Sequence, residues 1–174
     1  MSDSLDSVIA HIAEKFSATI SEFAGEKTLL IAPEKVLDLA KYLKTAIGFE
    51  FLSALTAVDY WPAESPRFHL FYRFTSISRQ FTLNVRIPIS GIKPVVSSIE
   101  PFYYNAGWHE REVFDMFGIK FDGNKDLRRI LMPHDWEGYP LRKDYPLGYE
   151  EPQFTFNYDE IAVRKPFAKS RPEE

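Results

Sequence analysis

The sequence predicts an α+β fold: a two-layer domain with a mainly antiparallel sheet of about four strands packed against helices, followed by a helix and an extended, irregular C-terminal arm. Three observations carry this. Helical periodicity gives way to a short β run and then returns within the first 50 residues. Two strictly alternating apolar segments follow one another between Phe68 and Ile87. From Gly107 to Tyr149 the chain starts at helical spacing and then runs through Pro133, Pro140 and Pro146 with neither period.

Taken in order, Leu5, Val8, Ile9, Ile12 and Phe16 recur at helical spacing behind Asp3 or Ser4 as N-cap, which predicts a first amphipathic helix. Thr28 to Ile31 reads as a strand. Pro33 then opens a second helix, with Val36, Leu37, Ala40, Leu43 and Ile47 on one face and Gly48 as its stop. Phe49 to Tyr60 is extended and ends in a turn at Trp61-Pro62.

The two alternating segments, Phe68-Leu70-Tyr72-Phe74 and Phe81-Leu83-Val85-Ile87, predict an antiparallel hairpin. With Ser76 to Arg79 as its loop, Phe74 faces Phe81 and Leu70 faces Val85. The opposite sheet face then carries His69, Arg73, Thr82, Asn84 and Arg86, with His69 across from Arg86. Such a face can bind an anion, and an ordinary half-solvated face has the same composition. A helix is expected from Val95 to Phe102 and another from Gly107 to Gly118. The expected organisation is a core domain over residues 1–120, a partner-binding arm over 121–150 and a C-terminal tail over 151–174.

Composition removes several function classes. A net charge of −4 gives no drive toward nucleic acid. With no cysteine, the chain has no disulfide, thiolate-bound zinc or thiolate-bound iron–sulfur cluster. No apolar run reaches the ~20 residues of a membrane span, and Asp3 and Asp6 stand where a targeting peptide is basic.

The cluster His109, Glu110, Glu112 and Asp115 invites a metal site, so its helical geometry matters. Glu110 and Glu112 lie about 160° apart on a helix and cannot share one site. No second His follows at the spacing of a zinc-protease helix; a stand-alone metal-dependent hydrolase would have to use His109, Glu112 and His134. Glu110 falls among Val113, Phe114 and Phe117 on the apolar side, where a carboxylate needs a partner, and Arg128 or Arg129 is expected to supply an ion pair. On the other side Arg111 and Asp115 stand at i and i+4 and are expected to form a local ion pair, flanked by Trp108 and Glu112. A tryptophan set among charges suggests an interface. Leu127, Ile130 and Leu131 read as a short buried segment. The arm beyond them offers Trp136, Arg142, Lys143, Asp144 and Tyr145 as further partner contacts, with Arg142 expected to pair with a carboxylate.

The run Glu110-Arg111-Glu112, Asp115, Phe117-Gly118-Ile119, Phe121, Gly123, Asp126 to Leu131, Trp136-Glu137-Gly138 and Pro140 to Pro146 resembles the signature of the C subunit of NADH–quinone oxidoreductase, the thirty-kilodalton subunit family of complex I. Leu55, Asp59-Tyr60 and the hairpin extend the likeness upstream. Departures fall at Asn124-Lys125, near His134 and at Tyr139. The resemblance implies a cofactor-free subunit of the peripheral arm with no catalytic or metal-binding residue of its own. It further implies that FMN, iron–sulfur clusters and quinone sit in partner subunits, namely the large quinone-site subunit and the iron–sulfur subunits. Membrane contact would come only through the complex, on the cytoplasmic face of the inner (plasma) membrane. A subunit of a ferredoxin- or F420-linked oxidoreductase, or of a membrane-bound hydrogenase, is the alternative within the same resemblance.

Overall fold

The computed structural model describes residues 5–145, and within them the chain builds one five-stranded sheet, a two-stranded sheet and three α-helices. Helix α1 (Leu5–Phe16) buries Val8, Ile9, Ile12 and Phe16, the stripe its spacing predicts. A tight hairpin follows, β1 (Thr19–Phe23) and β2 (Glu26–Leu30), whose two connecting residues Ala24 and Gly25 both have positive φ, as a two-residue turn matching strand twist requires. Strand β1 is fully exposed and lacks alternation, which is why the sequence shows no strand there.

Pro33–Lys35 form a 3₁₀ turn leading into α2 (Val36–Tyr42), and a π turn over Leu43–Ile47 closes it at Gly48, whose φ of 85° is the left-handed stop expected of that glycine. Three long strands come next: β3 (Phe51–Asp59), β4 (Phe68–Ser76) and β5 (Phe81–Ile89). The sheet order is β1-β2-β5-β4-β3, with β2 parallel to β5 and the other pairs antiparallel. One face of the sheet, including Leu29, Leu70, Tyr72, Phe74, Leu83, Val85 and Ile87, packs against the helices in a single core.

The β4–β5 register differs from the sequence expectation by two residues. The loop is Ile77 to Gln80, so Ser76 pairs with Phe81, Phe74 with Leu83 and Leu70 with Ile87. A shift of two leaves each side chain on its predicted face, because faces alternate with period two. His69 therefore pairs with Pro88, and Arg86 lies across from Phe71.

The helix expected over Val95 to Phe102 is absent. In its place, β6 (Val95–Ser97) pairs in parallel with β7 (Lys120–Asp122). The buried ring of Pro94 precedes two β-branched residues, Val96 is buried while Val95 is exposed, and Lys120 donates its amide to the Pro94 carbonyl at 2.9 Å. Between these strands runs α3 (Ala106–Phe117). The expected division at residue 120 thus falls inside β7; the expected tail over 151–174 lies outside the described residues.

Leu70 is completely buried in a central strand. Leu70→Ala is expected to lower unfolding free energy by about 2–5 kcal/mol, measured by urea denaturation, whereas Arg73→Ala on the opposite face changes it by less than about 1 kcal/mol.

Candidate functional site

Helix α3 ends at Gly118, left-handed at φ 70°, whose amide donates to the Phe114 carbonyl at 2.8 Å. One turn before that stop, Asp115 is completely buried. Its Oδ2 accepts the consecutive amides of Ile130, Leu131 and Met132 at 3.0, 2.8 and 2.9 Å, and its Oδ1 takes Nη1 of Arg129 at 2.6 Å. Nη2 of Arg129 reaches on to the carbonyls of Trp136 and Gly138 at 2.9 and 3.0 Å. From the other side of the same segment, Arg111 donates Nε and Nη2 to the carbonyls of Arg128 and Arg129. Burial pushes the Asp115 carboxyl up, but the hydrogen bonds from Met132, Arg129, Leu131 and Ile130 outweigh it and hold the group below its ordinary value of 3.8.

Two ion pairs expected from the sequence are therefore replaced. Asp115 turns inward to Arg129 instead of pairing with Arg111 along the helix, and the remaining carboxylate near Arg111 is Asp126 at 3.9 Å. Glu110 is fully buried on the apolar side, as the helical wheel requires, but it meets neither Arg128 nor Arg129. It accepts Ser98 Oγ at 2.7 Å, the Ile99 amide at 2.9 Å and Asn124 Nδ2 at 2.7 Å. Arg128 instead forks onto Asp126. With neutral donors in place of a cation, burial raises the Glu110 carboxyl above its usual range despite those bonds. Ile130 and Leu131 are exposed and Leu127 is half-buried, so this stretch is held by its backbone amides, by the Arg129 side chain and by the packing of Leu127 and Met132, not by a buried Ile130-Leu131 pair. Among the described residues no three His, Asp or Glu side chains gather in a metal-binding group, and His109, Glu112 and His134 are not brought together as one.

The end of the arm is tied down at a second place. Leu141 donates its amide to the Met116 carbonyl at 3.1 Å, and Arg142 Nε donates to the Phe117 carbonyl. The Arg142 guanidinium lies over the rings of Tyr139 and Phe68, at 4.7 and 5.3 Å, instead of pairing with a carboxylate. Burial, and then the nearby charge of Arg67, lower its pKa. A Cβ on Gly118 would collide with the Tyr139 ring and Arg142 Nη2, so this glycine is both helix stop and floor for the arm. Next to it, Arg67 grips Asp59 through Nε and Nη2 at 3.0 and 2.8 Å and Asp144 at 2.7 Å, while the Lys143 amide donates to Asp59 at 3.0 Å. The sequence marks Asp59 only as part of the family likeness and Arg67 not at all, because nothing local signals their bonds to Asp144 and Lys143, which span 77 and 84 residues of chain. Tyr145 stacks over Gly138, and Trp136 is half-buried.

Of the expected contact residues, Trp136, Arg142, Asp144 and Tyr145 thus make bonds or packing contacts within this chain. Trp108 is 63% exposed, with the Arg111 guanidinium 5.3 Å from its ring, and Glu112 is exposed beside them. Leu131 and Leu141 project from the arm, and between α3 and the arm opens a cleft of about 530 Å³ lined by Arg111, Phe114, Arg128, Met132 and His134, among others. An exposed tryptophan and leucines around an arginine-rich cleft have the composition of an interface centre.

Comparison with known proteins agrees in extent with this architecture. A family model described as respiratory-chain NADH dehydrogenase, 30 Kd subunit, matches residues 29–151. The C subunit of the NADH-quinone oxidoreductase of Roseiflexus castenholzii is 46% identical over 151 residues, covering 86% of this chain and 86% of its own. That of Geobacter sulfurreducens is 39% identical, covering 80% and 88%. Among solved structures, a trypsin-resistant fragment (1-134) of Nqo5 superposes with a TM-score of 0.64 and 27% identity, over 73% of this chain and 100% of the fragment. A structure of the membrane-bound sulfane sulfur reductase, an archaeal respiratory membrane complex, shares the fold at TM-score 0.70 and 21% identity, over 97% and 95% of the two chains.

Asp115→Ala is expected to cost about 3–5 kcal/mol, because it strands Arg129 and three amides. The stability that Asp115 contributes is complete above its unfolded value near 3.8 and is lost as pH falls through its lower folded value. Unfolding curves of the full chain between pH 3 and pH 7 will show this acid-side loss, and Asp115→Asn will flatten it.

Proposed function

Because the chain belongs to the 30 Kd subunit family of the respiratory-chain NADH dehydrogenase, we propose that it is a structural subunit of the peripheral arm of a proton-translocating NADH–quinone oxidoreductase. In that role it supports electron transfer from NADH through iron–sulfur clusters to quinone by fixing the positions of the subunits that carry them. FMN, the clusters and quinone belong to those partners. The chain has no cysteine to hold a cluster, and its most elaborate polar site, around Asp115, is fully occupied by bonds to its own arm.

The observation that carries this reading is the division of labour across α3. Glu110, Asp115 and Arg111 are engaged in the chain's own bonding, whereas Trp108 and Glu112 are presented outward. Partner contact is assigned to that outward side together with the cleft and Lys143, whose side chain is exposed. The large quinone-site subunit and the iron–sulfur subunits are the partners proposed. No described helix is long and apolar enough to cross a membrane, in keeping with membrane contact through the complex, at its cytoplasmic face.

The test is co-purification of the tagged chain from native membranes with NADH–quinone oxidoreductase activity. Tight, stoichiometric flavin or metal in the isolated chain counts against the reading. Trp108→Ala is expected to weaken retention in the complex by ~2 kcal/mol or more while leaving the melting temperature of the isolated chain unchanged. An equal loss of thermal stability would place Trp108 in the fold and not in an interface.

A further inference from the structure

All three helices bury their apolar residues against one face of the five-stranded sheet, so no described helix covers the other. Near the middle of that open face Arg86 is held rigidly. Its Nε donates to Nδ1 of His69 at 2.6 Å and its Nη2 to the Tyr60 hydroxyl at 3.0 Å, while the rings of Tyr60 and Phe71 each lie 5.3 Å from the guanidinium. Because Nδ1 accepts, His69 is neutral and carries its proton on Nε2. Burial, and then the Arg86 charge, push it down to about 4.

The neighbouring arginine of this face, Arg73, is neutralised by Glu26 at 3.5 Å, and Glu26 also takes the Asn84 amide. Arg86 has no carboxylate among the described residues, and its Nη1 is neither bonded nor enclosed there. In register on either side stand Leu30 and Phe71, both half-buried. Rings and a neutral imidazole orient a guanidinium without cancelling its charge, which leaves it ready for a bidentate anion.

We infer that this open face is a second docking surface, on which a neighbouring subunit lays a segment that offers an aspartate or glutamate carboxylate to Arg86 and apolar side chains to Leu30 and Phe71. One uncancelled cation between two apolar side chains suits a single carboxylate better than a phosphate, which calls for several cations. The inference rests on the reading of the chain as an assembled subunit.

The experiment uses the complex purified from membranes carrying Arg86→Lys, treated with a water-soluble carbodiimide, which joins a lysine amine to a carboxylate in contact with it. An amide bond between the introduced lysine and an acidic residue of another subunit is the expected result. A lysine open to amine-labelling reagents and free of cross-links overturns the inference, as does a cross-link confined to this chain. In parallel, Arg86→Gln is expected to weaken retention under salt washing on the order of tenfold, and retention equal to the unmodified complex overturns the inference. Failure of the unmodified chain to co-purify would instead defeat the subunit assignment itself.

Discussion

The arm exists as structure because one buried carboxylate organises it. Residues 126–138 form no helix or strand, so their amides lack the partners that regular structure provides. Asp115 answers for three of them in succession and binds the guanidinium of Arg129, which in turn collects two carbonyls farther along. A negative charge facing consecutive amides is the protein counterpart of an anion in a backbone nest. Its effect is directional: the bonds fix the path of the main chain and leave Ile130 and Leu131 facing outward.

The second clasp works differently. Arg67 lies between Asp59 and Asp144, stacked over Trp61 and Phe68, and so joins the end of β3, the start of β4 and the far end of the described arm. Burying Arg67 and Asp59 gives up hydration that their attraction only partly returns, and the bonds fix the relative positions of the three segments they join. Between the clasps, Gly118 brings α3 to a halt where Tyr139 and Arg142 need bare backbone to lie against. The three features together turn a proline-rich stretch into a fixed ridge along α3.

Much of this fold could be read from the sequence, and the failures share one physical origin. Alternation in Phe68 to Ile87 identified both strands and the correct faces, and the wheel placed Glu110 inside, because periodicity encodes burial directly. The two-residue error in register came from the loop, whose boundaries periodicity does not mark. Strand β1 leaves no periodic signal because it buries neither face, and β6 resembles a helix in sequence because three residues are too few to show a period. Polar partnerships were the least legible. Residue type announced that Glu110 and Arg142 needed partners, but a serine, an amide and two rings met those needs from distant parts of the chain. The family resemblance, carried by 25 residues between Glu110 and Pro146, is more specific than any of these local inferences.

An arm already closed on its own domain changes the thermodynamics of assembly. Fixing a disordered backbone costs roughly 1–2 kcal/mol per residue, so an arm of this length ordered only on contact would charge that entropy against every association. Here the described part of the arm, up to Tyr145, is ordered when the chain folds, and a partner meeting it meets a preformed ridge whose docking cost is that of bringing solid bodies together. That part of the protein is thereby suited to take its shape before the complex forms.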